Sequence, residues 1–173
     1  ITNNGTGTTT LQLDAGYANL TLSGNISGNG GISTTSSGRV IITGTNTYTG
    51  STVLSGTNTL VLSGSNTTSG ISVGTGTTLA LRSITLSSTQ NITGAGNVTK
   101  DISVFGDSTI NGTSNTYTGS TTVNISRFTV GSTGVINGTS GIAVQGQWGA
   151  NFNNLGSVTT VGAITVAGSG NTT

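Results

Sequence analysis

The chain has 173 residues, no Cys, Pro, His or Met, and only seven charged side chains: Arg39, Arg82, Lys100, Arg127, Asp14, Asp101 and Asp107. That length suits one domain spanning residues 1–173, with no disulfide staple and no hinge proline. A formal charge of +1 on scattered basic residues gives no electrostatic footprint for nucleic acid, and no apolar run reaches the roughly 18–20 residues that would insert into a membrane.

Read from the N-terminus, pairs of β-favouring apolar residues separated by one position recur about every 20 residues: Leu20/Leu22, Val40/Ile42, Leu60/Leu62, Leu79/Leu81, Ile102/Val104, Val123/Ile125, Ile142/Val144 and Ile164/Val166. Alternation puts both side chains of a pair on one face of a strand, and the fixed interval stacks each pair on the last. A second series, Leu11/Leu13, Ile32, Val53, Ile71/Val73, Ile92, Ile110 and Phe128/Val130, runs at nearly the same period. Two inward faces per coil are therefore expected.

Gly-containing segments such as Ser63-Gly64-Ser65 and Gly74-Thr75-Gly76 separate the apolar pairs, and Asn-Gly occurs at residues 4, 29, 111 and 137. These residues tolerate the backbone conformations of tight corners. The pattern predicts an all-β fold, a single-stranded parallel β-helix (β-solenoid) of roughly eight coils of about 20 residues. At the usual spacing between strands such a rod is about 38 Å long. An antiparallel sandwich also has short strands and frequent turns, but it does not need apolar pairs to stay in phase along the whole chain.

Two segments carry a longer motif. Ile26-Ser-Gly-Asn-Gly-Gly-Ile32, Gly38-Arg-Val-Ile-Ile-Thr-Gly44 and Thr45-Asn-Thr-Tyr-Thr-Gly-Ser-Thr-Val53 form the first; Ile92-Thr-Gly-Ala-Gly-Asn-Val98 and Asn115-Thr-Tyr-Thr-Gly-Ser-Thr-Thr-Val123 form the second. The two are offset by about 66 to 69 residues, close to three coils, which reads as an internal duplication of about residues 20–80 and 84–150. These blocks resemble the passenger-associated repeat of bacterial autotransporters, whose pattern runs roughly ISGxGGL, GxLxLxG, NTYTGxTxV. One departure is Ser33-Thr34-Thr35, standing where a Lys is common, although Lys100 lies near that place in the second copy. The resemblance implies a right-handed β-helix that is secreted across the outer membrane and displayed at, or released from, the cell surface. It implies no single activity, since such passengers include adhesins, enzymes and passive stalks.

Asn46, Tyr48, Gly50 and their counterparts Asn115, Tyr117 and Gly119 are the motif positions to locate in the structure. Each tyrosine is expected to lay its ring on a neighbouring coil with its hydroxyl in water, and each asparagine to bond the backbone of a corner. Phe105, Phe128 and Phe152 are spaced near one coil apart, so a stacked phenylalanine ladder is expected, with Trp148 covering a coil end or a seam.

Without His, Cys or Glu the chain has no obvious base near neutral pH, no thiolate nucleophile and no soft metal ligand. Asp101 and Asp107, with Arg127 about one coil on, are the residues to weigh for a carboxylate hydrolase, and they read as solvated loop acids. No cofactor and no metal site is expected. Thr-x-Thr pairs at Thr45/Thr47, Thr57/Thr59, Thr75/Thr77 and Thr116/Thr118 raise ice binding, but their intervals are uneven.

The terminal coils carry almost no charge to stop further strand addition. Leu11, Leu13, Leu20 and Leu22 at one end, and Val158, Val161, Ile164 and Val166 at the other, are the expected stacking strands. Their partners would be copies of the same chain or further coils of a longer parent, since the sequence reads as a processed product or a segment. The expected function is a non-catalytic structural stalk or fibre subunit, extracellular or on the bacterial surface. The alternative is an adhesin that binds glycans by a side face.

Overall fold

The computed structural model describes residues 1–5, 10–101, 103, 105–167 and 171–172, with the backbone alone at 147, 148, 171 and 172. Every strand pair is parallel, and the described residues contain no helix. The chain winds as a β-solenoid with three faces per coil, one more than the apolar spacing suggested.

The first face stacks Thr10–Asp14, Gly31–Thr35, Thr52–Leu54, Gly70–Val73 and Asn91–Gly94. It continues through Asn115, which bridges Ile136, into Val135–Thr139 and Ser157–Thr160. The second face stacks Asn19–Leu22, Arg39–Ile42, Thr59–Leu62, Thr78–Leu81, Asn97–Lys100, the start of Thr121–Val130, the start of Ile142–Asn154 and Ile164–Val166. The third takes Thr45–Asn46, Ser65–Asn66, Thr85–Leu86, Ser108–Ile110, the distal halves of the two long strands and Asn171–Thr172. With eight strands on the second face, the coil completes about seven turns.

Register on the second face runs Leu20, Val40, Leu60, Leu79, Val98, Thr121, Ile142, Ile164, and beside it Leu22, Ile42, Leu62, Leu81, Lys100, Val123, Val144, Val166. From Val40 to Val144 both rows are buried. Each of these branched or aliphatic side chains removes about 1.5–3 kcal/mol worth of apolar surface from water, and in-phase stacking lets every rung use the rung beside it as solvent.

Two of the expected apolar pairs are replaced. The fifth rung presents Val98/Lys100, with Ile102 and Val104 outside the described residues, and the sixth presents Thr121/Val123 rather than Val123/Ile125. On the first face Thr52 and Leu54 point inward while Val53 is 38% exposed, because Val53 pairs with the outward Ser33 and Ser72. Ile110, Phe128 and Val130 belong to the third face. That face was hidden because its N-terminal rungs turn Ile26, Asn46 and Asn66 inward, only one of which is apolar.

The corner between the first and second faces repeats a left-handed residue at Gly16, Ser36, Gly56 and Gly76 (φ 56, 77, 84 and 80). Three of the four are glycine because a Cβ in that conformation meets the following carbonyl. The corner between the second and third faces does the same at Gly64, Ser83, Gly106, Ser126 and Gly149.

Candidate functional site: two tyrosine corners and a charged corner

The motif residues form the same hydrogen-bond relay twice. Tyr48 is fully buried and its hydroxyl lies 2.7 Å from Thr52 Oγ1. Thr52 Oγ1 donates to Thr68 Oγ1 (3.1 Å), which lies 2.8 Å from Gly50 O and 3.0 Å from Gly70 O. In the second copy Tyr117 Oη and Thr121 Oγ1 are 2.6 Å apart, Thr121 and Thr139 hydroxyls 3.3 Å, and Thr139 Oγ1 reaches Gly119 O (2.7 Å) and Gly141 O (3.2 Å). The expectation of wet hydroxyls is therefore corrected: both are enclosed, and burial pushes both tyrosine pKa values up.

The asparagines do bond corner backbone. Asn46 Oδ1 accepts from Ile26 N (3.0 Å) and its Nδ2 donates to Gly44 O (2.9 Å). Asn115 Oδ1 accepts from Ile92 N (2.8 Å), while its Nδ2 donates to Gly112 O (2.7 Å) and Val135 O (2.8 Å). Gly50 and Gly119 are required by close approach: an added Cβ would stand 2.4 Å from Gly31 N in one case and 2.1 Å from Gly96 O in the other.

The two copies lie at different corners. Ile32 is on the first face and its counterpart Val98 on the second, so the offset is three coils plus one face rather than three coils. Because both corners turn between parallel strands of one spacing, the same relay fits at each of the two.

Five of the seven charged residues, Arg82, Lys100, Asp101, Asp107 and Arg127, gather at the corner between the second and third faces, where the coil from Leu86 to Ile110 is longer than its neighbours, and Arg39, which opens its second-face strand, reaches Asp101 with its guanidinium. Asp101 is 3% exposed, and it accepts from Arg39 Nη2 (2.8 Å), Arg82 Nε (2.5 Å) and Ser103 Oγ (2.6 Å). Burial alone would raise its pKa, but the Ser103 and Arg82 hydrogen bonds and the charges of Arg82 and Arg39 outweigh burial and hold it below the usual value. It is not a solvated loop acid. Asp107 is 55% exposed, accepts from Arg127 N (3.0 Å) and faces the Arg127 guanidinium at 3.7 Å.

The widened loop is thus tied to the rung before it and the rung after it. Arg82 Nη2 bonds Ser103 Oγ (2.6 Å) and Ser83 Oγ bonds Phe105 O (3.3 Å) on one side; Gly106 N bonds Ser126 Oγ (3.2 Å) on the other. Ser83 and Ser126 hold left-handed backbone at the two flanking corners (φ 48 and 54). Lys100 is fully buried in the column between Leu81 and Val123, and its Nζ donates to Asp101 O (3.2 Å). Burial pushes its pKa down, while Asp101 and Asp107 pull it up.

A carboxylate already saturated by two guanidinium groups is a poor proton acceptor, so the geometry suits Asp101 to clamping rather than acid–base work. Beside it a groove of about 210 Å³ is lined by Arg39, Thr59, Thr78, Thr99, Lys100, Asp101 and Asn124, with Ala80 at its floor.

Phe128 and Phe152 stack with centroids 6.1 Å apart and planes at 15°. Phe105 stands outside that ladder, 66% exposed, because the rung position above Phe128 is Ser108. Trp148 pairs through its backbone with Ile125, and its side chain lies outside the described residues. Of the Thr-x-Thr pairs, Thr45/Thr47 begins on the third face and the other three lie at the corner between the first and second faces, where Thr57 is exposed but Thr77 is buried, so they make no single exposed rank. At the ends, Leu13 is buried, Leu11, Leu20, Leu22 and Val158 are half-buried, and Val161, Ile164 and Val166 are exposed by 83%, 50% and 47%.

Sequence reading weighed Asp101, Asp107 and Arg127 together but missed Thr68, Thr139 and the pairing of Asp101 with Arg39 and Arg82. For Arg82 the signal was present as a one-coil separation of 19 residues. Compared with known proteins, the chain matches no family model, no curated protein and no solved structure.

Proposed function

We propose that this chain is a non-catalytic structural solenoid of the bacterial cell surface, a stalk or fibre unit that extends by adding coils to its terminal turns. The observation that carries the reading is the second-face column. Its rows are buried from Val40 to Val144, and they continue in register to Ile164 and Val166, which stand half in water. A further coil, whether of a longer parent chain or of another copy, would cover that row as each inner coil covers its neighbour. The rest of the surface is mostly Thr, Ser, Asn and Gly with only seven charged residues, a composition that suits an exposed, repetitive fibre. The resemblance to autotransporter passenger repeats supports the extracellular placement.

Sedimentation and negative-stain imaging of the purified chain over a wide concentration range test the self-assembly form of this reading. Rods that lengthen with concentration are expected, and the Ile164→Asp variant is expected to stay short. A monodisperse monomer at every concentration would remove the fibre and leave the stalk. The groove beside Arg39 favours a second reading, a side face that binds glycans. Glycan-array binding lost in Arg39→Ala would support it, and no binding to any glycan would dismiss it.

A further inference from the structure

Four Asn-Gly pairs occur in the chain, and the structure treats them differently. Succinimide formation requires the glycine nitrogen to reach the asparagine side-chain carbon, so a pair reacts only where both groups are free to move. At Asn29-Gly30 the glycine is buried and its N–H donates to Asn3 O (2.9 Å). At Asn111-Gly112 the side-chain amide donates to Leu86 O (3.1 Å) and the glycine is buried. At Asn4-Gly5 the glycine N–H donates to Asn3 Oδ1 (3.4 Å).

At Asn137-Gly138 the side chain is less restrained, although the Asn137 backbone N–H donates to Asn115 O (2.8 Å). Asn137 is exposed, and its side chain makes no hydrogen bond among the described residues. The ladder between Val135–Thr139 and Ser157–Thr160 jumps between Asn137 and Thr139, so Gly138 is an extra residue without a register partner. Gly138 has φ 106, and the space where a Cβ would stand is open to 4 Å.

We infer that Asn137 is a site of spontaneous covalent modification, deamidating in the folded protein ahead of Asn29 and Asn111. The Gly138 backbone nitrogen attacks Asn137 Cγ, a C–N bond forms, and the side-chain amide nitrogen leaves as ammonia with the proton that the backbone nitrogen gives up. Water then opens the succinimide at one of its two carbonyls, yielding Asp or isoAsp at position 137 with no change of oxidation state. The product puts a carboxylate, opposite Thr159, on a face whose strands otherwise carry charge only at Asp14.

The test is to incubate the folded chain at mildly alkaline pH, digest it, and follow all four Asn-Gly peptides by mass spectrometry. A parallel sample is incubated unfolded in denaturant. In the folded sample Asn137 is expected to react about tenfold or more faster than Asn29 and Asn111, the factor that opening one net hydrogen bond imposes. In denaturant the four rates should converge, and Asn137→Gln should remove the fast site. Equal rates at Asn137 and Asn29 in the folded chain, or an unreacted Asn137 there while the unfolded chain reacts, would overturn the inference.

Discussion

Replacing Lys100 by Leu tests the inward register of the fifth rung, because the structure makes its sign opposite to that expected for a surface lysine. The ammonium lies in a column whose neighbours above and below are Leu81 and Val123, with no exposure to water. Taking an ion of this size out of water costs several kcal/mol, and exchanging a buried ion for a well-packed apolar group of similar volume is neutral or stabilising by about 1–4 kcal/mol. The usual objection is that the partner charge is left unpaired. Here Asp101 keeps Arg39 at 2.8 Å and Arg82 at 2.5 Å, so its charge stays compensated. Lys100→Leu should therefore raise stability within that range, seen as a higher urea midpoint at unchanged slope in far-ultraviolet circular dichroism.

A pH scan gives a second readout. Burial lowers the Lys100 pKa below 10.5, so the unfolded chain holds its proton to higher pH than the folded chain does. Wild-type stability should rise with pH in the alkaline range below 10.5, and the variant should lack that rise. The scan stops before 10.0, since Tyr48 and Tyr117 have raised values and their contribution is lost as pH climbs above that of an unfolded tyrosine. A variant destabilised by more than about 1 kcal/mol, with the alkaline rise intact, would refute the placement of Lys100 in the core.

The charged corner and the relays give three more expectations. Asp101→Asn should cost about 1.5–3 kcal/mol, the range for hydrogen bonds to charged groups, and less than a fully buried pair because Arg39 and Arg82 keep some solvent. Since the Asp101 pKa is lowered, its contribution is present above 3.8 and lost as pH falls below it, so acid titration of wild type should converge on the variant. Tyr48→Phe and Tyr117→Phe should each cost about 0.5–1.5 kcal/mol and match one another in thermal melts, since the relays are copies. Gly119→Ala should lose about 1–3 kcal/mol in the same assay, because its Cβ would overlap Gly96 O.

The coil period was legible because it is written in aliphatic residues. Leu20, Val40, Leu60 and Leu79 recur at one interval, and they stack in register. The number of faces was not, since Asn46 and Asn66 occupy inward positions of the third face, and a search for apolar pairs passes over them. The inward place of Lys100 was hidden for the same reason, since it is fixed by backbone pairing with Leu81 and Val123 and not by an apolar side chain. The motif residues were found, but not the hydroxyl chain through Thr68 and Thr139, because those threonines fall 16 and 18 residues after Thr52 and Thr121, outside the motif itself. Phe105 shows how an insertion defeats a spacing argument: the long coil moves it to the loop and gives its place in the stack to Ser108.

The most direct test of the central claim, that the terminal row is built to be covered, is amide hydrogen exchange followed by mass spectrometry at low and high protein concentration. In dilute solution the interior rungs from Val40 to Val144 should exchange slowly and Ile164–Val166 quickly, matching their burial. At high concentration the account predicts that protection rises at Ile164–Val166 and at the half-buried Asn19–Leu22 strand, with the interior unchanged. Exchange at both end strands that is independent of concentration, or protection that rises instead along a side face, would contradict end-to-end stacking.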